Sequence, residues 1–158
     1  MSARSVFLGG PFKASIDPAT GTLRAAERAR LESVIARLER DGYEVHNAHR
    51  REGWGAAFLT PEECTRLDFE EISASDVFIA FPGAPASPGT HVEIGWASAL
   101  GKPVVLLLED GAEYAFLVRG LHTVADVVVV PVGPDSDVAG LVAGALRDIE
   151  ARTSVRER

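Results

Sequence analysis

The 158-residue chain has a single cysteine, Cys64. No internal disulfide can form, which excludes the small stapled secreted scaffolds and agrees with a reducing compartment. Basic residues are in the minority: 16 Lys and Arg stand against 23 Asp and Glu, a net charge of −7. A duplex nucleic-acid binder needs the opposite balance, so no nucleic-acid partner is expected. No apolar run reaches the roughly 18 residues a membrane span requires, so no membrane partner is expected either. Met1-Ser2-Ala3-Arg4 leads straight into SVFLGG, without the apolar stretch and cleavage site of an export signal. Cytoplasmic localisation is the resulting expectation. His46, His49, His91 and His122 lack cysteine or carboxylate company at ligand spacing, so neither metal nor cofactor is expected. Net charge does not exclude a small anionic ligand, because a few local cations and backbone amides hold a phosphate.

What is present fits one globular domain. Hydrophobic residues make up 46% and charged residues 25%, an ordinary composition for a packed chain of this length. The domain is expected over residues 1–152, with 153–158 as a polar, frayed tail. Short apolar runs at Ser5 to Gly9, Tyr43 to His46, Val77 to Phe81, Val104 to Leu108 and Val127 to Val130 read as strands. Between them lie helical patterns. Leu31, Val34, Ile35 and Leu38 mark a helix over Ala25 to Arg40. Thr60-Pro61 caps and opens a second helix running to about Ser73, with Leu67, Phe69 and Ile72 facing inward and Asp68 on the same side. A third opens at Thr90, and a closing helix over Asp137 to Arg152 carries Leu141, Val142, Leu146 and Ile149. Glu113 to His122 reads as a short helix or turn.

Two connections are long. Lys13 to Thr22 is polar and turn-rich, in the manner of a functional lid. The stretch NAHRREGWGAAFLTPEE mixes Arg50, Arg51, Trp54 and Phe58, which suits either a flat or anionic ligand or a solvated loop with Trp54 tucked against the core.

Alternating strands and helices give an α/β fold: a single-domain Rossmann or flavodoxin-like three-layer sandwich with a five-stranded parallel sheet, order 2-1-3-4-5. That order places a topological switch point between the first and third strands. Gly9-Gly10 and Ser87-Pro88-Gly89-Thr90 then become the two walls of one crevice.

Thr90-His91-Val92-Glu93 has the S/T-x-x-E spacing of an ordinary capping box. Its context adds a chemical reading, because the box opens a helix at the crevice, below a loop free of acidic residues from Pro82 to Val92. First-turn amides, the helix dipole and the hydroxyls of Ser87 and Thr90 form a donor cluster suited to phosphate. A carboxylate in that loop would repel it. A receiver domain does not fit, since the third strand ends in Phe81-Pro82-Gly83 with no acceptor aspartate.

Asp68 to Ile72, Ser75-Asp76-Val77, Ser87 to Ala97 and Gly101 to Val104 follow the pattern D-x-x-x-I, S-D-V, S-x-G-T-x-x-E-I-G-x-A and G-K-P-V. In these motifs the chain resembles the nucleoside 2-deoxyribosyltransferase superfamily. SVFLGGPF, YEVHNAHRREGWGAAFL, DVFIAFPGAPASPGTHVEIGWASALGKP and EYAFLVRGL are similar, more narrowly, to the cytidylate N-glycosidases of nucleoside-antibiotic biosynthesis, which hydrolyse CMP or hydroxymethyl-CMP.

The resemblance implies that Glu93 is the nucleophile toward the anomeric carbon and Asp68 the second carboxylate. It places Ser87, Gly89 and Thr90 on the phosphate loop and Gly9-Gly10 beside the sugar phosphate. Ser87 stands where the deoxyribosyltransferases carry an acidic residue, a departure that fits a 5′-phosphorylated substrate. The resemblance also implies a homodimer, with Tyr114 and Arg119 on the segment that reaches the neighbour, where they either meet its phosphate or serve a local surface role. Phe12 and Lys13, directly after the Gly-Gly turn, are the candidates for covering the base or the mouth of the site, Phe12 with a stacking face. A solvated Lys13 on a mobile loop stays equally open. The alternatives to a cytidylate glycosidase are a purine or deoxynucleoside 5′-monophosphate glycosidase, a nucleoside deoxyribosyltransferase, and a nucleotide-binding module without turnover.

Overall fold

The computed structural model describes residues 4–158. Five strands form one parallel sheet in the order β2-β1-β3-β4-β5: β1 is Arg4–Gly9, β2 Tyr43–His46, β3 Val77–Ala80, β4 Val104–Glu109 and β5 Val127–Val132. The helices are α1 (Ala25–Arg40), α2 (Ala48–Arg51), α3 (Pro61–Ala74), α4 (Pro88–Ala99), α5 (Phe116–Arg119) and α6 (Val138–Arg156). The expected order and fold class hold, with the switch point between β1 and β3.

The period-2 alternation of the strands divides the core into two layers. Val6, Leu8, Val77, Ile79, Val105 and Leu107 face α1 and α6, meeting Leu31, Val34, Leu38, Val142 and Leu146. Phe7, Phe78, Ala80, Val104 and Leu106 face the other way, toward Ile72 of α3, Ile94 and Ala97 of α4 and Val118 of α5. Phe7 and Phe78 stack across adjacent strands at 5.7 Å. Such a pair contributes about 0.5–1.5 kcal/mol beyond area burial. Gly9 shares the parity of Phe7, so the last residue of β1 faces the α3/α4 layer.

Several expected boundaries shift. β3 stops at Ala80, while β4 and β5 run on to Glu109 and Val132. Pro131 is tolerated in β5 because that strand is at the sheet edge. α6 continues through Thr153 to Arg156, so the polar tail is mostly helical although exposed. Leu141 is 40% exposed rather than core, and Ala143 and Ala145 complete the buried stripe of α6. On α3 only Ile72 is fully buried. Phe69 lies at the surface, edge-on to Trp96 at 5.3 Å, and Leu67 is half-buried. Their spacing fits an inward stripe, but of these three Ile72 alone reaches the core beside Phe7 and Phe78.

The two long connections have structure of their own. Ile16 bridges Leu23, and a 3₁₀ turn covers Lys13–Ser15. α2, absent from the sequence reading, is a single turn capped by Asn47, whose Oδ1 accepts the Arg50 amide at 2.8 Å. Trp54 is buried against the core, with the Arg28 guanidinium 4.9 Å above its ring. Among the described residues no helix is long and apolar enough to cross a membrane.

Candidate active site

The carboxyl ends of β1 and β3 open onto a cavity of about 430 Å³. Gly9, Gly10, Phe12 and Lys13 form one wall, and Ser87, Gly89, Thr90 and Glu93 the facing one. Asp68, Cys64 and Thr65 of α3 close one side, and His49, Glu52 and Phe58 line the other. Glycine at position 9 leaves room for the Glu93 carboxylate: a Cβ built there would fall 2.7 Å from Glu93 Oε2, which would have to move. At Gly83, with φ +88°, a Cβ would fall 2.8 Å from Pro11 Cγ, so glycine lets the post-β3 loop close against the post-β1 loop.

α4 begins earlier than its apolar pattern indicates. Ser87 is the N-cap, Pro88 takes the first helical position, and Thr90 lies inside the first turn. The capping-box reading of Thr90 with Glu93 is therefore wrong. A serine three residues before Thr90 outcompetes it, because Pro88 is preorganised for N1 and the Ser87 hydroxyl reaches the Thr90 amide at 3.4 Å. Glu93 is freed from capping. One turn into the helix, it projects from the same face as buried Thr90 and Ala97 into the cavity.

Ser87 Oγ accepts from the Thr90 amide and, at 3.0 Å, from the Thr90 hydroxyl. Its own proton remains to be donated. Gly89 adds a first-turn amide that the helix ladder does not use. The dipole end, the hydroxyl and the acid-free loop together favour an anion at this wall.

Glu93 Oε2 is buried with no hydrogen-bond donor among the described residues. Burial pushes its carboxyl up to about 8, and the Asp68 carboxylate pushes the same way; the Arg51 cation opposes them. Glu93 therefore keeps its proton at neutral pH, with burial the main cause and the neighbouring Asp68 charge the second. Arg51 Nη2 donates to Asp68 Oδ1 at 2.6 Å and Nη1 to Glu71 Oε2 at 2.7 Å. A buried carboxylate pair beside a helix N-terminus is suited to attack on, or stabilisation of, an electron-poor anomeric carbon.

A family model for nucleoside 2-deoxyribosyltransferase matches residues 19–145. The chain belongs to the nucleoside 2-deoxyribosyltransferase family. Among solved structures, the CMP N-glycosidase BcmB of Clostridium botulinum is 39% identical, with a TM-score of 0.64 over 89% of this chain and 97% of that one. BlsM, known from a solution structure, is 59% identical, with a TM-score of 0.72 over 82% and 81% of the two chains. A conserved protein from Enterococcus faecalis V583 is 17% identical, with a TM-score of 0.57 over 91% and 99%, and shares the fold alone. No curated protein sequence matches the chain. The deoxyribosyltransferase family and BcmB act on N-glycosyl bonds.

In this family member nine of the eleven residues singled out from sequence converge on one cavity: Gly9, Gly10, Phe12, Lys13, Asp68, Ser87, Gly89, Thr90 and Glu93. Tyr114 and Arg119 lie elsewhere. The Tyr114 hydroxyl accepts the Glu109 amide at 2.7 Å, and Arg119 is exposed beside the Phe116 ring. The sequence reading also missed residues on α2 and just beyond it. Arg50 and Arg51 do not await an anion: Arg50 pairs with Glu39 at 2.7 Å and donates to the Val45 carbonyl, and Arg51 serves carboxylates. His49 lies 4.4 Å from the Phe12 ring and hydrogen-bonds the Pro11 carbonyl through Nε2 at 3.0 Å. Burial pushes its pKa down, so it stays neutral at pH 7. Glu52, also buried, accepts the Leu59 amide at 3.0 Å. Only the Arg-Arg-Glu run three residues after Asn47 could have hinted at this cluster.

Proposed function

We propose that the chain hydrolyses the N-glycosidic bond of a pyrimidine nucleoside 5′-monophosphate, converting CMP, 5-hydroxymethyl-CMP or dCMP to the free base and the sugar 5-phosphate. The observation that carries this reading is the pairing of the buried Glu93 carboxyl with a phosphate-suited helix start one turn away. The similarity to BcmB, a CMP N-glycosidase, supports the choice of substrate.

In this reading the 5′-phosphate sits against Ser87, Gly89 and Thr90, with the sugar beside Gly9-Gly10. The first sugar carbon then lies over Glu93. As the bond to the base breaks, its electron pair leaves with the base and oxocarbenium character builds at the anomeric carbon, which Glu93 captures as an ester. Glu93 attacks as the carboxylate, so its proton must leave first, and Asp68, lining the same cavity, is the base assigned to receive it. Water then cleaves the ester and releases sugar phosphate. Phe12 offers the base a stacking face, and Lys13 stands at the cavity mouth. We assign the protein to a homodimer in which Tyr114 and Arg119 reach the partner's phosphate site.

The deciding experiment is chromatography of free base after incubation with CMP, hydroxymethyl-CMP, dCMP, AMP and cytidine, beside Glu93→Ala. Cytosine is expected from CMP and not from cytidine, and none from the variant. Tight nucleotide binding with no base released from any substrate would make the protein a binding module.

A further inference from the structure

Three carboxyl groups line the cavity, Glu93, Asp68 and Glu52, and a fourth, Glu71, lies one turn beyond Asp68 on α3. A single guanidinium, Arg51, meets three of them. Its contacts are 2.6 Å to Asp68, 2.7 Å to Glu71 and 3.7 Å to Glu52, and its side chain is 20% exposed. Asp68 and Glu71 are three apart on α3 and therefore on one face, which lets a planar fork engage both. Arg51 Nε is buried and unpaired, so the guanidinium is held by these carboxylates rather than by its stem.

We propose that Arg51 is the positioning residue of the catalytic pair: by clamping Asp68 beside Glu71, it holds the Asp68 carboxylate in the cavity that Glu93 lines. The inference rests on the proposed role of Glu93 but is read out without turnover.

The electrostatics follow from the census of groups. Asp68 and Cys64 approach the Glu93 cavity from α3, His49 and Glu52 from α2 and the turn after it, and Lys13 from the post-β1 loop. His49 is neutral by burial and Lys13 is exposed at the mouth. Arg51 is therefore the fixed positive charge nearest the pair, and it favours the ionised form of Glu93 against burial and Asp68. Lysine could replace its charge but not its two-armed geometry.

Carbon-13 NMR titration of the Glu93 carboxyl, assigned by its loss in Glu93→Gln, tests this directly. In Arg51→Gln the midpoint should rise by about one pH unit or more, because a neighbouring opposite charge is lost. In Glu71→Gln it should fall, because a negative charge leaves and Arg51 is given wholly to Asp68. Arg51→Lys should lie between wild type and Arg51→Gln. Base release should track the midpoints, with turnover of Arg51→Gln partly recovered by raising the pH and KM changed less than kcat. A merely structural arginine would lower Tm and leave the midpoints together; that outcome overturns the proposal, as would shifts of the same sign in Arg51→Gln and Glu71→Gln. Should Arg51→Gln not fold, Arg51→Lys and Glu71→Gln still decide, since their shifts must be opposite. Absent base release with intact opposite shifts would sink the glycosidase reading alone.

Discussion

Glu93 Oε2 occupies the space in which a side chain on Gly9 would begin, 2.7 Å from the position of its Cβ. The other neighbours of that Cβ, Phe7 and Phe78, lie at 3.5 and 3.6 Å, which is ordinary contact. Gly9→Ala should therefore move the Glu93 carboxylate and little else. Since a displacement of about 1 Å at the reacting group costs on the order of 10²-fold, kcat should fall by that order while Tm changes by only a few degrees. Gly10→Ala is the control, because its nearest neighbour is at 3.6 Å. Equal losses in the two variants would show that Gly9 matters for backbone freedom rather than for the space it leaves.

The raised Glu93 pKa makes stability depend on pH in a stated direction. An unfolded glutamate loses its proton near its ordinary value of 4.5, while the folded one keeps it to about 8. Between those values the folded state binds more protons, so this group's contribution to stability falls as pH rises and is smallest above pH 8. Glu93→Gln removes the effect. Its Tm should exceed that of wild type above pH 8, with the advantage shrinking toward pH 4.5, at up to about 1.4 kcal/mol per pH unit across the window. Parallel Tm curves would mean that Glu93 is already ionised in the fold.

The sheet order and both walls of the crevice were legible because each rests on strand runs and turn residues, whereas the role of Asp68 beside Glu93 was implied by the family resemblance of their motifs. Strand runs are apolar throughout, Gly-Gly follows β1, and Asp68 lies one turn from Ile72, which the sheet buries. The start of α4 was misread because two capping patterns overlap, and Pro88 tips the balance to Ser87. α2 escaped notice because one helical turn has no periodicity to detect, and its Asn47 cap shows only in contacts to Arg50 and the Leu8 carbonyl. Arg51 was visible as a cation, but its partners come from α3, and no sequence spacing links them. Leu141 and Phe69 fit helical stripes, yet which stripe position reaches a neighbour is decided by tertiary packing.

Ser87 has two separable roles, since its Oγ accepts from Thr90 and its proton is left to donate. Ser87→Ala should remove the cap, at about 1 kcal/mol of stability. It should also raise KM for CMP roughly 10-fold, on the order of one charge-assisted hydrogen bond. Binding of cytidine, which has no phosphate, should change little. Titration of both ligands by calorimetry checks this, and equal weakening of both would place the phosphate elsewhere.

Lys13 is exposed, with Nζ 5.5 Å from the centre of the Phe58 ring, and it lines the cavity beside Phe12. In the proposed orientation, with the phosphate against Ser87, Gly89 and Thr90, the base lies toward this cation at the mouth. Lys13→Ala should therefore change the ratio of kcat/KM between CMP and 5-hydroxymethyl-CMP by several-fold while leaving Tm in place, as expected for a surface side chain. An unchanged ratio would make it a solvated lysine.

Phe116 and Leu117 of α5 are 83% and 87% exposed, and Arg119 at the end of the same helix is exposed beside them. Large apolar side chains left this open next to a cation suit burial against another surface. In the proposed homodimer the partner supplies that surface and receives Arg119 and Tyr114 near its phosphate. Arg119→Ala should then be inactive while still folded. Its intact Glu93 cavity should regain function when a neighbouring subunit donates the arginine. Mixing inactive Arg119→Ala with inactive Glu93→Gln should restore up to about a quarter of wild-type activity, because random exchange gives half mixed dimers with one complete site each. Sedimentation of each variant checks that exchange occurs. An active monomer, or no recovery in mixtures shown to exchange, would confine both residues to a local role.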